Sequence, residues 1–377
     1  MPLTSILALA IAVIIPIIIL FIIYTQDLYG TGSFRYVVLS FFWGAVAFSA
    51  AAFINRFLIG SGIFERLTIL QYIAPFEEEI LKGLILIYLI RRPQFTYFVD
   101  GAIYGFAVGI GFAVIENFDY VLGASTGALD VAVGRVISTN MIHAAGSAIV
   151  GIAAGLARFS RGSGRILRVF LGLVLAILLH TGFNNLVTRV TGGWLLVYAA
   201  VVGIAGVGAI WISIRRGLSE EKAWIEETLG MTDRVTASEA AVVHRIADLD
   251  EILKPLALRF GEEKTVQIEK FLFMQARLGI LRKTLEKLPD ENLLEATRKE
   301  IAQIQQVMDD ARRAVGTMPM MYLRSIFPED DVSLWGSIEG VIERHIAERS
   351  ASSGTGMWER LGAAAQPAND SGEKHGF

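Results

Sequence analysis

The sequence predicts an all-α protein: a polytopic membrane helix bundle of about seven spans followed by a helical cytoplasmic domain. Three observations carry this. The 377 residues are 53% hydrophobic and only 19% charged, with a mean hydropathy of +0.51, which is a membrane composition. That average joins two unlike halves, since nearly all of the apolar excess lies before Arg215 and the remainder has the charge density of a soluble domain. In the first half, seven apolar segments approach the ~20 residues that a helix needs to cross the hydrocarbon core. They fall at roughly 4–24, 36–59, 67–90, 97–122, 131–157, 167–188 and 191–214.

The first segment, in "MPLTSILALAIAVIIPIIILFIIY", has no basic flank and no small-residue cleavage site, and is too long for a signal-peptide core. It reads as a retained transmembrane helix. Loop charges set the orientation. Arg91 and Arg92, then Arg158, Arg161, Arg165 and Arg168, then Arg215 and Arg216 fall on one side if seven spans alternate. The other side carries only Arg56, Arg66 and Arg189. The positive-inside rule puts the N-terminus outside and the C-terminal domain in the cytoplasm of a multi-pass cell-membrane protein. In the fourth span, Gly101, Gly105 and Gly109 recur every four residues on one helix face, and "HAAGSAIVGIAAG" in the fifth is similarly small-faced. Small residues let membrane helices approach closely, so these two spans are expected at the centre of the bundle.

Beyond residues 1–216, amphipathic helices are expected over 217–348, about five of them, with Ser219 and Asp290 as N-caps and Thr236 and Glu239 as a capping box. The small, polar stretch 349–377 is expected to be disordered. The net charge of −3 implies no nucleic-acid partner, and the absence of cysteine excludes disulfides, thiolate metal sites and a cysteine nucleophile. The partner of the cytoplasmic helices is unknown; nothing in them suggests catalysis.

Charged residues within spans mark function by default, because each costs roughly 2.5–3.5 kcal/mol to insert. The third span holds Glu77, Glu78, Glu79 and Lys82; the fourth Asp100, Glu116, Asn117 and Asp119; the fifth Arg135, Asn140, His143 and Ser147; the sixth His180, Asn184 and Asn185. At about 100° per residue, Lys82 can reach Glu78 and Glu79, while Glu77 lies about 140° away. Pro75 and an acidic first turn also suit a capped helix start at the interface. Length argues against that: Pro75 to Ile90 spans only about 24 Å of a core about 30 Å thick. Including 67–74 places the glutamates near mid-depth, beside a proline kink. Measured from the outer ends, Glu78 and Glu79 lie about 18–20 Å in, Glu116 about 9–10 Å, His180 about 14 Å and His143 about 12–20 Å. Four consecutive spans thus offer polar groups at overlapping depths.

The motifs resemble those of the PrsW family of intramembrane proteases, which belongs to a superfamily with the type II CAAX prenyl proteases. "EEILK" (Glu78 to Lys82) matches its EExxK motif, and "FAVIEN" (Phe112 to Asn117), "HAAGS" (His143 to Ser147) and "HTGFN" (His180 to Asn184) resemble its other three, in order on successive spans. The resemblance covers about residues 60–190. It implies hydrolysis of a membrane-protein substrate, a single-span protein such as an anti-sigma factor, in or near the lipid bilayer. Two mechanisms stay open. In one, His143, His180 and Glu116 hold a divalent metal, zinc, and Glu78 or Glu79 deprotonates water. In the other, no metal takes part: Glu78 activates water, His143 or His180 donates protons, and Asn184 or Asn140 binds the oxyanion. Lys82 neutralises part of the glutamate charge in both.

Two readings of other classes use the same residues. An ion- or proton-coupled transporter also needs intramembrane carboxylates and histidines, but it ordinarily shows repeated halves, and none are visible here. An inactive membrane sensor or scaffold presenting the cytoplasmic helices would tolerate loss of Glu78.

Overall fold

The computed structural model describes residues 2–27, 29, 32–189, 193–228, 237–245 and 249–326, and all of the regular structure among them is helical. Helices α1 (Leu3–Tyr24), α2 (Phe34–Ser61), a single turn α3 (Arg66–Thr68), α4 (Ala74–Leu89), α5 (Phe98–Gly123), α6 (Ala128–Ile137), α7 (Thr139–Arg158), α8 (Ser163–Val187) and α9 (Gly193–Thr228) form the apolar half. Five helical segments among the described residues are long and apolar enough to cross a membrane: Leu3–Tyr24, Phe34–Ser61, Phe98–Gly123, Ala128–Arg158 and Ser163–Val187. The expected count of about seven is thus reduced to five by this measure.

Of the two segments not counted, the third and the seventh, the third is shortened by a local cause. It is interrupted by a π-helical turn, Ile69–Ile73, which leaves α4 with 16 residues. The Ala74 N–H donates to the Ile69 carbonyl, an i→i−5 bond. In that register the Leu70 carbonyl would next meet residue 75, which is proline and has no N–H. Asn184 Nδ2 of α8 fills the vacancy, donating to Leu70 O at 2.9 Å, with Asn185 Nδ2 donating to Gln71 O at 3.4 Å. The fifth segment is counted as one span but breaks within it. Ser138, at φ −114° and ψ −79°, separates α6 from α7, and its hydroxyl donates to Gly134 O at 2.6 Å, a back-bond that bends helices.

Helix α5 is the axis of the bundle and is almost wholly buried. Its glycine face meets α7 as expected. A Cβ on Gly101, Gly105 or Gly109 would lie 2.1, 2.2 or 2.3 Å from the carbonyl oxygen of Gly151, Ser147 or His143. On its other side, a Cβ on Gly111 would lie 1.9 Å from Phe41 O of α2. No side chain fits at these distances, so backbone packs on backbone and α5 fixes the heights of α2 and α7. Helix α1 joins through small residues too, with Ala8 and Ala12 packed against Val121, Ala128 and Ala132.

Helix α9 runs unbroken past Arg215 and Arg216 into the soluble half, so Ser219 is helix interior and not the N-cap that its sequence context suggests. Five helices come after it among the described residues: α10 (Ala237–His244), α11 (Leu249–Phe260), α12 (Glu262–Lys287), α13 (Glu291–Val315) and α14 (Thr317–Ile326). Asp290 does cap α13, accepting from the N–H groups of Asn292 and Leu293. Thr236 of the expected capping box, and the tail expected to be disordered, lie outside the described residues.

At the junction of the two halves, Tyr97 donates its hydroxyl to Glu220 and packs its ring at a tilt against Trp224. The neighbouring Glu221 is fully buried, and both of its carboxylate oxygens lack a hydrogen-bond partner. Burial first, then the Asp27, Asp100 and Glu220 carboxylates, push its pKa well above the ordinary value of 4.5. A carboxyl raised in the folded state stabilises it fully at low pH, and that contribution is lost as pH rises through the folded-state pKa. Glu221→Gln is therefore expected to melt at a higher temperature than the wild type in alkaline buffer, with the gap closing below pH 4.5. Thermal unfolding in nanodiscs across pH measures this; a gap that does not change with pH contradicts it.

Candidate active site

The helix crossings bring four polar spans to one place. Each predicted site residue can be located there, and the three glutamates separate as the helical phase requires. Glu77 is half-buried, and its Oε1 has no hydrogen-bond partner. Glu79 is fully buried and clamped: Lys82 Nζ donates to its Oε1 at 2.5 Å, and His180 Nδ1 lies 3.0 Å from the same oxygen. Glu78 is 9% exposed, and its Oε2, 3.9 Å from His180 Nε2, has no hydrogen-bond partner. The expectation that Lys82 sits between both glutamates is thus narrowed: its ion pair is with Glu79, and its second contact is His143 Nδ1 at 3.0 Å.

These contacts assign the imidazole protons. A lysine ammonium has only donors, so His143 Nδ1 accepts and the ring proton sits on Nε2. There Glu116 Oε2 accepts it at 2.9 Å. His180 is the mirror case. Its Nδ1–H donates to the Glu79 carboxylate, which leaves the Nε2 lone pair facing Glu78. The two rings stack edge to face, centroids 4.7 Å apart. Glu116 is held by Arg135 Nη2 at 2.6 Å.

A cavity of about 330 Å³ opens onto this cluster. Glu78, Glu116, His143, His180 and Asn184 line it, together with the C-terminal turns of α2 and α8 and Arg135. Its mouth lies at the end of the bundle opposite Tyr97 and the soluble helices. Asn184 reaches it with one of its two amide N–H groups already donated to Leu70. Asn140 is buried elsewhere on α7, both amide atoms without a hydrogen-bond partner, and does not line the cavity.

A family model described as PrsW family intramembrane metalloprotease matches residues 32–210. Protease PrsW of Bacillus subtilis (strain 168) is 32% identical over 174 residues, 45% of this chain and 77% of that protein. Protease PrsW of Clostridioides difficile (strain 630) is 30% identical over 179 residues, 45% of this chain and 75% of its own. Protease PrsW of Shouchella clausii (strain KSM-K16) is 26% identical over 209 residues, 54% and 94%. The chain belongs to the PrsW family. No solved structure matches it.

The PrsW motifs seen in the sequence are therefore the residues that converge, and the donor set fits a metal. Glu78, His143 and His180 each offer a ligand atom, all within 4.8 Å of one another. Two imidazoles and one carboxylate are a known catalytic zinc set. The unpartnered Glu78 oxygen and the His180 lone pair are ready to ligate, and the Glu79 bond behind His180 is the outer-shell support that ligating histidines ordinarily have. His143 Nε2 would have to lose its proton to ligate, as metal binding requires. Glu116, expected among the ligands, is instead bound by Arg135 and His143, and Glu78 takes its place in the group. The sequence singles out Arg135 as a charge within the fifth span but assigns it no role; its pairing with Glu116 is visible only once the helices are packed.

Proposed function

We propose that this PrsW-family chain hydrolyses peptide bonds of a single-span membrane protein in the outer half of the bilayer, with water activated at Glu78. One observation carries the reading: Glu78 alone combines an unpartnered buried oxygen, two histidines within ligand distance and a position on the cavity wall. Glu78, His143 and His180 would hold the divalent ion, which when bound supplies Lewis-acid polarisation of water and carbonyl. The chain's own groups do the rest. Glu78 takes the proton of the attacking water. In the metal-free form His143, whose Nε2–H is donated to Glu116, delivers a proton to the leaving amine. Glu79 and Lys82 do not touch substrate; they orient His180 and His143. The second N–H of Asn184 is a donor for the oxyanion.

The membrane arrangement completing this reading has seven crossings, counting the π-interrupted segment 66–89 and the first part of α9, with residues 1–216 as the membrane unit and 217–348 as the cytoplasmic helical unit. The arginine-rich loops support it. So does the cavity mouth, which then faces outward, away from the soluble helices. The metal-free form has its own supporting observation, the occupied ring nitrogens of His143. The two forms part on one test. Purified protein in liposomes with a single-span reporter should lose cleavage on chelation and regain it with zinc, and Glu78→Ala, Glu116→Ala and His143→Ala should be inactive. Chelator-resistant cleavage by protein free of metal would leave the metal-free form; full activity of all three variants would sink the protease reading.

A further inference from the structure

The site does not end at Glu116. A continuous line of hydrogen bonds, with one ion pair between Arg135 and Glu116, leads from it to α1, a helix outside residues 32–210, the part that the family model matches. The line begins with a defect. Pro16 lies inside α1 and has no N–H, so the carbonyl four residues earlier, Ala12 O, lacks its helical donor. Asn117 Nδ2 of α5 donates to that carbonyl at 3.0 Å. The other end of the same amide, Oδ1, accepts from Arg135 Nε at 2.8 Å. Arg135 then pairs with Glu116, Nη2 to Oε2 at 2.6 Å, and its guanidinium lies 3.8 Å over the Tyr120 ring. Glu116 accepts the His143 Nε2–H. Ala12 and Asn117 are fully buried, so no water competes for the joint.

We infer that Pro16, Asn117 and Arg135 are positioning residues, and that α1 is part of the catalytic apparatus because its proline-freed carbonyl sets the orientation of Asn117, Arg135, Glu116 and so His143. The polarity of each link is determined. A carbonyl can only accept, which turns the amide nitrogen of Asn117 toward α1 and its oxygen toward Arg135; Arg135 can only donate, which holds the Glu116 carboxylate as the acceptor that His143 faces. Each partner thus has one usable orientation, and a packing helix alone would not supply that. The inference rests on the reading of His143 as a reacting group, and the test separates the two.

Pro16→Ala restores an N–H that takes the Ala12 carbonyl while leaving α1 helical. Asn117→Leu and Arg135→Gln cut the next links. In liposomes with a single-span reporter, Asn117→Leu and Arg135→Gln are expected to lower kcat about 10–100-fold, the usual range for outer-shell residues. Pro16→Ala should lower it about 2–10-fold, the scale of one hydrogen bond. KM should stay within about twofold for Pro16→Ala and Asn117→Leu, because neither residue lines the cavity; Arg135, which does, is judged on kcat. Pro16→Ala on top of Asn117→Leu should add nothing, as for members of one chain. Arg135→Lys should recover part of the rate. Ile14→Ala, on the exposed face of α1, should match the wild type. A second readout needs no substrate. In metal-free ¹⁵N-histidine-labelled protein, which has five histidines, the His143 resonance, identified by its loss in His143→Gln, should report a protonated Nε2 in the wild type and shift in Pro16→Ala and Arg135→Gln. Wild-type kcat and an unshifted resonance in all three variants, with His143→Gln inactive, would overturn the positioning role. Full activity of His143→Gln would instead overturn the site reading, and this inference with it.

Discussion

Glu78→Gln is expected to abolish cleavage, lowering kcat by about 10²–10⁴-fold, the contribution of a positioned general base. The isosteric amide keeps the shape of the side chain but removes the only oxygen of the glutamate run that is both unpartnered and on the cavity wall. It also removes one of three candidate ligands, so zinc bound after dialysis should fall with activity. Glu77→Gln is the control. Its side chain is on the same helix turn yet off the cluster, and its rate should stay within about threefold of wild type, as for a substitution away from the reacting groups. Steady-state cleavage of a reporter in liposomes distinguishes them; equal losses would mean that the helical phase assigned to α4 is wrong.

Lys82→Met should cost stability as well as activity. Lys82 and Glu79 are both fully buried and bonded at 2.5 Å. Removing one partner of such a pair strands a charge, at about 3–5 kcal/mol. The same change frees His143 Nδ1 and with it the tautomer that the site uses. The double variant Lys82→Met with Glu79→Gln removes both charges. It should recover most of the unfolding temperature while remaining inactive, because His180 then loses the carboxylate that orients it. Thermal unfolding and cleavage measured on both variants decide this. A single variant as stable as wild type would show that the pair is not the anchor of the cluster.

Much of this is legible in the sequence, for identifiable reasons. The glycines at 101, 105 and 109 recur at the helical period, and close approach of α5 to α7 follows from that period alone. Charge inside apolar segments is expensive, so Glu78, Glu79, Lys82, Glu116, His143 and His180 stand out one by one, and the helical phase sets Glu77 apart. Pairing across helices does not show. Lys82 can reach Glu78 or Glu79 within α4; the choice of Glu79 is made by His180 and His143 on other helices, which complete its surroundings. Glu116 looks like a metal ligand because nothing in sequence says that Arg135 neutralises it. The π-turn at Ile69–Ile73 is also hidden. Pro75 announces a lost donor, but whether the helix kinks or shifts register depends on Asn184 and Asn185, more than 100 residues away, taking up the freed carbonyls. Asn184 looks like an oxyanion donor for its place one turn beyond His180; its first duty is to that turn.

The most direct measurement is the bond cleaved. Purified protein in liposomes with a single-span reporter, followed by mass spectrometry of the products, should give two fragments ending in the outer half of the transmembrane segment, absent with Glu78→Gln. Intact reporter under metal-replete conditions, or the same fragments from Glu78→Gln, would contradict a protease centred on Glu78, His143 and His180.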